Sequence, residues 1–162
     1  MTSNLDVARR FMERGIALAD MTAFDECLSS DIVVRTGLSP AGPIVGLAAY
    51  KQIFRDFAHA LPVIDFVIHE IWPSPDDHKV IVRFTATAVF LTDYFGVTAG
   101  RQIVAMEEVH ILEFAGGRII GNVVSGTNFP FEYLMYPVLK DAVLGAMPIA
   151  TAEQIERAKA AA

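Results

Sequence analysis

Apolar residues recur along this chain in two rhythms, and the change from one to the other divides it. From about Ser3 to Ala19, Val7, Ala8, Phe11, Met12, Leu18 and Ala19 fall at helical spacing. Thr22 ahead of Ala23, Phe24 and Asp25 reads as a capping-type opening for a short second helix that ends near Leu28. Asp31 to Thr36 reads as a strand. Gly37 to Gly46, with two prolines and three glycines before the next helix, reads as a loop. The spacing of Leu47, Tyr50, Ile53, Phe54, Phe57 and Leu61 predicts a third helix, stopped by Pro62.

Beyond Pro62 the rhythm shortens to two. Four strands are predicted, roughly Val63–Ile71, Lys79–Phe90, Gln102–Phe114 and Arg118–Asn128. Breaks fall at Pro73–Asp77, around Gly96–Gly100 and at Gly116–Gly117, which suggests an antiparallel meander. Two of these strands are about twice the usual ~5–6 residues, and long strands need bends or bulges, which curl a sheet. The aromatic run Phe129–Pro137 follows, then a helix over Val138–Ala146 and a last one opened by a capping box at Thr151 and Gln154. Helices segregated from an antiparallel sheet make an α+β fold. Such helices can bury their stripes only against one face of the sheet, and a curled sheet with helices across its mouth encloses an apolar cavity of the kind that binds ligands. Residues 1–137 read as that domain and 138–162 as a helical extension belonging to it or to an oligomer contact.

Composition narrows the partners. Of 162 residues, 53% are hydrophobic and 20% charged, so a folded core is expected. The mean hydropathy of +0.40 leaves apolar surface for a cavity or a subunit interface. A net charge of −6 with scattered basic residues argues against nucleic acid. No stretch reaches the ~20 apolar residues of a membrane span, and the charged opening MTSNLDVARRFMERG is no signal peptide, so a cytoplasmic location is expected. Cys27 stands alone and reads as a small buried hydrophobe. There is no phosphate-cradling loop, zinc spacing or nucleophile elbow, which argues against nucleotide cofactors and covalent acyl chemistry, and no metal is expected.

Three segments together carry a resemblance. They are FDECLSSDIVVRTG, GLAAYKQIFRDFAHALPVIDFVI and VRFTATAVFLTDYFGVTAGRQIVAMEEVHILEFAGGRIIGNVVSGTNF. In order and spacing the chain resembles the SnoaL-like polyketide cyclase family, within the superfamily of nuclear-transport-factor-2-like and ketosteroid-isomerase-like proteins. The resemblance implies a conical α+β barrel, a homo-oligomer from dimer to tetramer, and acid–base chemistry on small hydrophobic substrates without cofactors. It also marks departures. The family's final-strand Trp and Asp fall on Val123 and Thr127, its histidine before the hairpin turn falls on Phe90, its turn proline is missing, and the isomerase-type aspartate falls on Thr36. A lyase or dehydratase acting on an aromatic alcohol therefore stands beside ring closure.

His110 is the leading catalytic candidate. Strand parity places Met106, Glu108, His110, Leu112 and Phe114 on one face. An imidazole beside a carboxylate in an apolar pocket is a general base near neutral pH. Glu107 and Glu108 alternate across the sheet, so only one faces inward; that one, Glu108 by parity with His110, can orient His110 or act as the base itself, and the alternative is a salt bridge to Arg83 or Arg101 across strands. Arg35 is a candidate to hold an enolate or phenolate. Tyr50, Phe90, Tyr94, Asn128 and Phe129 are expected to line the substrate site, with Tyr94 or Asn128 offering a hydrogen bond. Arg83, Thr85 and Thr87 are expected on the outer face, with Asp65 and His69, while His59 and His78 read as surface residues. Two other functions compete. A limonene-type epoxide hydrolase would need an Asp–Arg–Asp array, for which only Arg83 offers itself. A non-catalytic small-molecule binder would need a cavity without ionisable groups.

Overall fold

The computed structural model describes residues 3–39 and 41–126, together with 136–137, 145 and 149–155. The helices expected over Val138–Ala146 and most of the proposed extension lie outside the described residues, as do Asn128 and Phe129.

Helix α1 (Asn4–Arg10) opens on a capping box. Ser3 Oγ accepts from the Asp6 amide at 3.1 Å, and the Asp6 carboxylate accepts from the Ser3 amide at 3.2 Å. The helix continues without a break into a π-helical stretch, Phe11–Ile16. The buried positions explain it: Val7, Ala8, Phe11, Met12, Gly15 and Ile16 repeat at intervals of four. An α-helix overshoots a full turn by about 40° in four residues. The wider π winding turns the stripe back onto the core. Leu18, expected in that stripe, is 73% exposed, because the helix ends and Ala19 turns left-handed (φ 52°).

Helix α2 (Met21–Cys27) opens one residue before Met21 rather than at Thr22. Asp20 is the N-cap, and its Oδ1 accepts from the Thr22 amide at 2.9 Å. Thr22 and Arg14 also donate to that carboxylate, and these bonds hold Asp20 at a pKa of about 2, below the ordinary 3.8. A depressed folded pKa gives stability that is present above the unfolded value and is lost as pH falls through the folded one. The stability difference between the wild type and Asp20→Ala is thus expected to be full at pH 5 and to shrink between about pH 4 and pH 2. Thermal melts across that window test it, and a difference that does not change with pH would contradict it.

The chain passes directly into β1 (Leu28–Arg35), which starts three residues earlier than its pattern suggested. The loop after it contains a two-residue strand, β2 (Ile44–Val45), paired antiparallel to β1. Helix α3 (Leu47–Ala60) follows as expected and buries Tyr50, Phe54, Phe57 and Ala60. Strands β3 (Val63–Pro73), β4 (Lys79–Val89), β5 (Ile103–Ala115) and β6 (Arg118–Gly126) form the expected antiparallel meander. Gly116 and Gly117, both at positive φ (58° and 75°), make the β5–β6 turn.

The sheet is curved and unclosed, in the order β2-β1-β6-β5-β4-β3. It is not purely antiparallel, because β1 lies parallel to β6. Hairpin reasoning could not foresee that pair, since β6 gains its second neighbour from the far end of the sequence. Register shifts interrupt the β1–β6, β3–β4 and β5–β6 ladders, as long curling strands require. One face of the sheet carries Val80, Val82, Phe84, Ala86 and Ala88 of β4 and Met106, His110, Leu112 and Phe114 of β5, all buried against the helices. Cys27 is fully buried in the same core.

Candidate active site

A polar cluster crosses this apolar inner face. Glu108 and His110 are two positions apart on β5, so both side chains point inward. His110 Nε2 lies 3.2 Å from Glu108 Oε2. The His110 side chain is 3% exposed and that of Glu108 is 19% exposed, so Glu108 is the member a ligand can reach. The Phe84 ring from β4 packs against the imidazole in a T-shaped arrangement, with ring centroids 5.1 Å apart. His110 Nδ1 lies 3.3 Å from Nδ2 of Asn122, on β6. The same Nδ2 lies 3.5 Å from the hydroxyl of Tyr50, which α3 presents from the helical layer. Burial pushes the Tyr50 phenol up, so the hydroxyl stays protonated; the Asn122 hydrogen bond opposes that shift.

Asn122 has one unmet need. Its Oδ1 is buried and, among the described residues, is the one buried side-chain polar atom with no partner. Such an atom costs about 1–3 kcal/mol.

Sequence reasoning passed over Asn122, and a bulge is the reason. Ile119 faces inward, and strict alternation would turn Asn122 outward. The register shifts so that Phe114 faces Ile119 while Glu113 faces Gly121, leaving Ile120 unpaired and 39% exposed. Beyond the bulge the inward set becomes Asn122, opposite Leu112, and Val124, opposite His110.

The other expected site residues are placed less centrally. Arg35 is exposed and points away from the buried Ile32 and Val34, so it does not join the cluster. Thr36 lies just past the end of β1, half-buried, and its hydroxyl accepts from the Leu38 amide at 3.3 Å. Phe90 is fully buried in the core at the end of β4. Tyr94 is buried in the β4–β5 connection, where burial pushes its phenol up to about 12. Its ring meets Phe57 and Phe95, about 10 Å along α3 from Tyr50. Asn128 and Phe129 lie outside the described residues. Arg83 is on the outer face as expected, but its partner is Glu70 at 2.8 Å rather than Glu107 or Glu108. The Asp–Arg–Asp array for an epoxide hydrolase therefore loses its arginine. Asp65 and His69 are also exposed, and His69 bonds Thr85 at 2.7 Å. His59 and His78 are exposed, as expected.

Among the described residues no three metal-ligating side chains converge, and no helix is long and apolar enough to cross a membrane. What the cluster offers chemically is a carboxylate held by an imidazole against an apolar wall. That pair can take a proton from a neutral substrate and return it.

The family model described as the SnoaL-like domain matches residues 8–122. Solved structures share the fold at low identity. A candidate SnoaL-like polyketide cyclase from Jannaschia sp. CCS1 superposes with a TM-score of 0.69 at 14% identity, over 83% of this chain and 90% of its own. A candidate polyketide cyclase from Streptomyces antibioticus gives 0.67 at 14% identity, over 82% and 97%. A candidate hydroxylase from Streptomyces galilaeus gives 0.64 at 19% identity, over 96% and 89%. No curated protein matches the chain. One fold thus carries differently described activities, and the reaction has to be argued from the site.

Proposed function

Because this chain belongs to the SnoaL-like domain family, we propose that it is a cofactor-independent acid–base enzyme of the cyclase, isomerase or lyase type, acting on a small hydrophobic aromatic or polyketide-like molecule. The observation that carries this reading is the contact between Glu108 and His110 on a largely apolar inner face. Structural neighbours described as candidate polyketide cyclases support it.

In this reading Glu108 is the base and His110 steadies it. The carboxylate removes a proton from a carbon beside a substrate carbonyl, and the electron pair moves to the oxygen as an enolate. The enolate then takes the proton back at another carbon, attacks a second carbonyl within the molecule, or expels a small leaving group. Asn128, two residues past the Gly126 position that pairs with Glu108, is the candidate donor to the enolate oxygen. A second copy of the chain is the proposed partner of the sheet's outer face, where Val67, Trp72 and Ile103 stand 42–70% exposed. Sedimentation as a monomer would remove that part.

The test is solvent-deuterium incorporation into acetophenone and β-tetralone, followed by proton NMR in buffer containing a metal chelator. Incorporation faster than the buffer blank is expected. Binding of these ketones with exchange no faster than the blank would favour the non-catalytic binder instead.

A further inference from the structure

We propose that Asn122 selects the tautomer of His110 that donates to Glu108, which makes it the positioning residue of the pair; this rests on reading Glu108 and His110 as the base. A neutral imidazole has one N–H and one lone pair, and the hydrogen bond made by one nitrogen sets which of the two carries the hydrogen. His110 Nδ1 faces the Asn122 amide nitrogen at 3.3 Å. An amide nitrogen donates and does not accept, so Nδ1 presents its lone pair. The N–H then lies on Nε2, 3.2 Å from a carboxylate oxygen of Glu108, where it makes a charge-assisted bond.

The rest of the amide fits this assignment. Nδ2 has a second hydrogen, and the Tyr50 hydroxyl oxygen receives it at 3.5 Å. Both donors of Asn122 are thus used, and its Oδ1 is left buried without a partner. Turning the amide over would place the oxygen against Nδ1 and the Tyr50 hydroxyl, and both would donate to it. The N–H would leave Nε2, and Glu108 would face a lone pair. The groups facing the imidazole are Glu108 from its own strand, Asn122 from β6 and Phe84 from β4, with Tyr50 of α3 behind Asn122. Of these only Glu108 is charged; its carboxylate at Nε2 and the Asn122 amide at Nδ1 favour the same tautomer, and the amide is the group that would favour the other one if turned over.

The experiment reads the imidazole directly, by long-range proton–nitrogen correlation NMR of nitrogen-15-labelled protein at neutral pH, with His110 assigned by the signals lost in His110→Phe. The wild type is expected to show Nε2 protonated and Nδ1 bare. In Asn122→Asp the carboxylate accepts only, and Nδ1 is expected to gain a hydrogen. In Asn122→Leu, where Glu108 alone remains to favour Nε2, the preference is expected to weaken. A wild type with its hydrogen on Nδ1 would overturn the proposal, and that measurement needs no variant to fold. An unchanged tautomer in a folded Asn122→Asp would do so too. No substrate enters these spectra, so they fail independently of the exchange assay. A correct tautomer without ketone exchange defeats the enzymatic reading alone. A wrong tautomer with exchange that depends on Glu108 defeats the role of Asn122 alone.

Discussion

Glu108→Gln is expected to lower proton exchange on aryl ketones by about 10²–10⁴-fold, the range in which one general base contributes. Glutamine has the shape of glutamate, and its amide oxygen can still accept from His110 Nε2. Removing the charge from a side chain 19% exposed should leave the fold intact, which circular dichroism would show. Only the basicity is lost. His110→Phe is the companion variant. It keeps a ring against Phe84, whose centroid lies 5.1 Å away, and removes the imidazole N–H from Glu108. A smaller loss is expected, because the carboxylate remains. If His110→Phe proved the more damaging of the two, the imidazole would be the base and the carboxylate its support. If Glu108→Gln exchanged protons at the wild-type rate, Glu108 would not be the base.

The largest effect on stability is expected at Phe24. Its ring is fully buried and centres a cluster that ties the helical layer together. Phe11 of the π-helical stretch lies 5.3 Å away, and Tyr50 and Phe54 of α3 lie 5.3 and 5.2 Å away. Phe24→Ala would leave a cavity touching three helical segments, at a cost of about 3–5 kcal/mol. Domains of this size have about 5–15 kcal/mol in total, so the variant should approach the edge of folding. Denaturant titration followed by circular dichroism measures it. Phe24→Leu keeps most of the apolar volume and should lose less. A loss under about 1 kcal/mol in Phe24→Ala would mean that the helices repack around the gap. Phe24 also backs Tyr50, whose hydroxyl meets Asn122, so the aromatic cluster supports one end of the polar cluster.

The inner wall of the site was legible wherever a strand alternates without interruption. The buried positions of β4 match the parity read from Val82, Phe84, Ala86 and Ala88, and the same counting placed Glu108 and His110 together on β5. Helix α3 was legible to within one residue, because a strong apolar stripe ends at a proline. Arg35 was misread for a local reason. In Ile32-Val33-Val34 both faces of β1 carry an apolar residue, so alternation does not say which face is buried. The structure puts Ile32 and Val34 inside and Arg35 outside.

What the sequence determined by itself is what depends on near neighbours. That includes the type and order of the elements, the helical stripes, the glycine pair at the β5–β6 turn, and the shared face of Glu108 and His110. These follow from side-chain periods of 3.6 and 2 and from backbone preferences, which act within a few residues. Tertiary structure decided what depends on register between distant segments: the parallel pairing of β1 with β6, the π winding that keeps α1 on the core, and the bulge at Ile120 that turns Asn122 inward. A one-residue slip reverses every side chain beyond it. That slip is chosen by packing across the whole inner face, and the sequence of β6 alone has no means of expressing it.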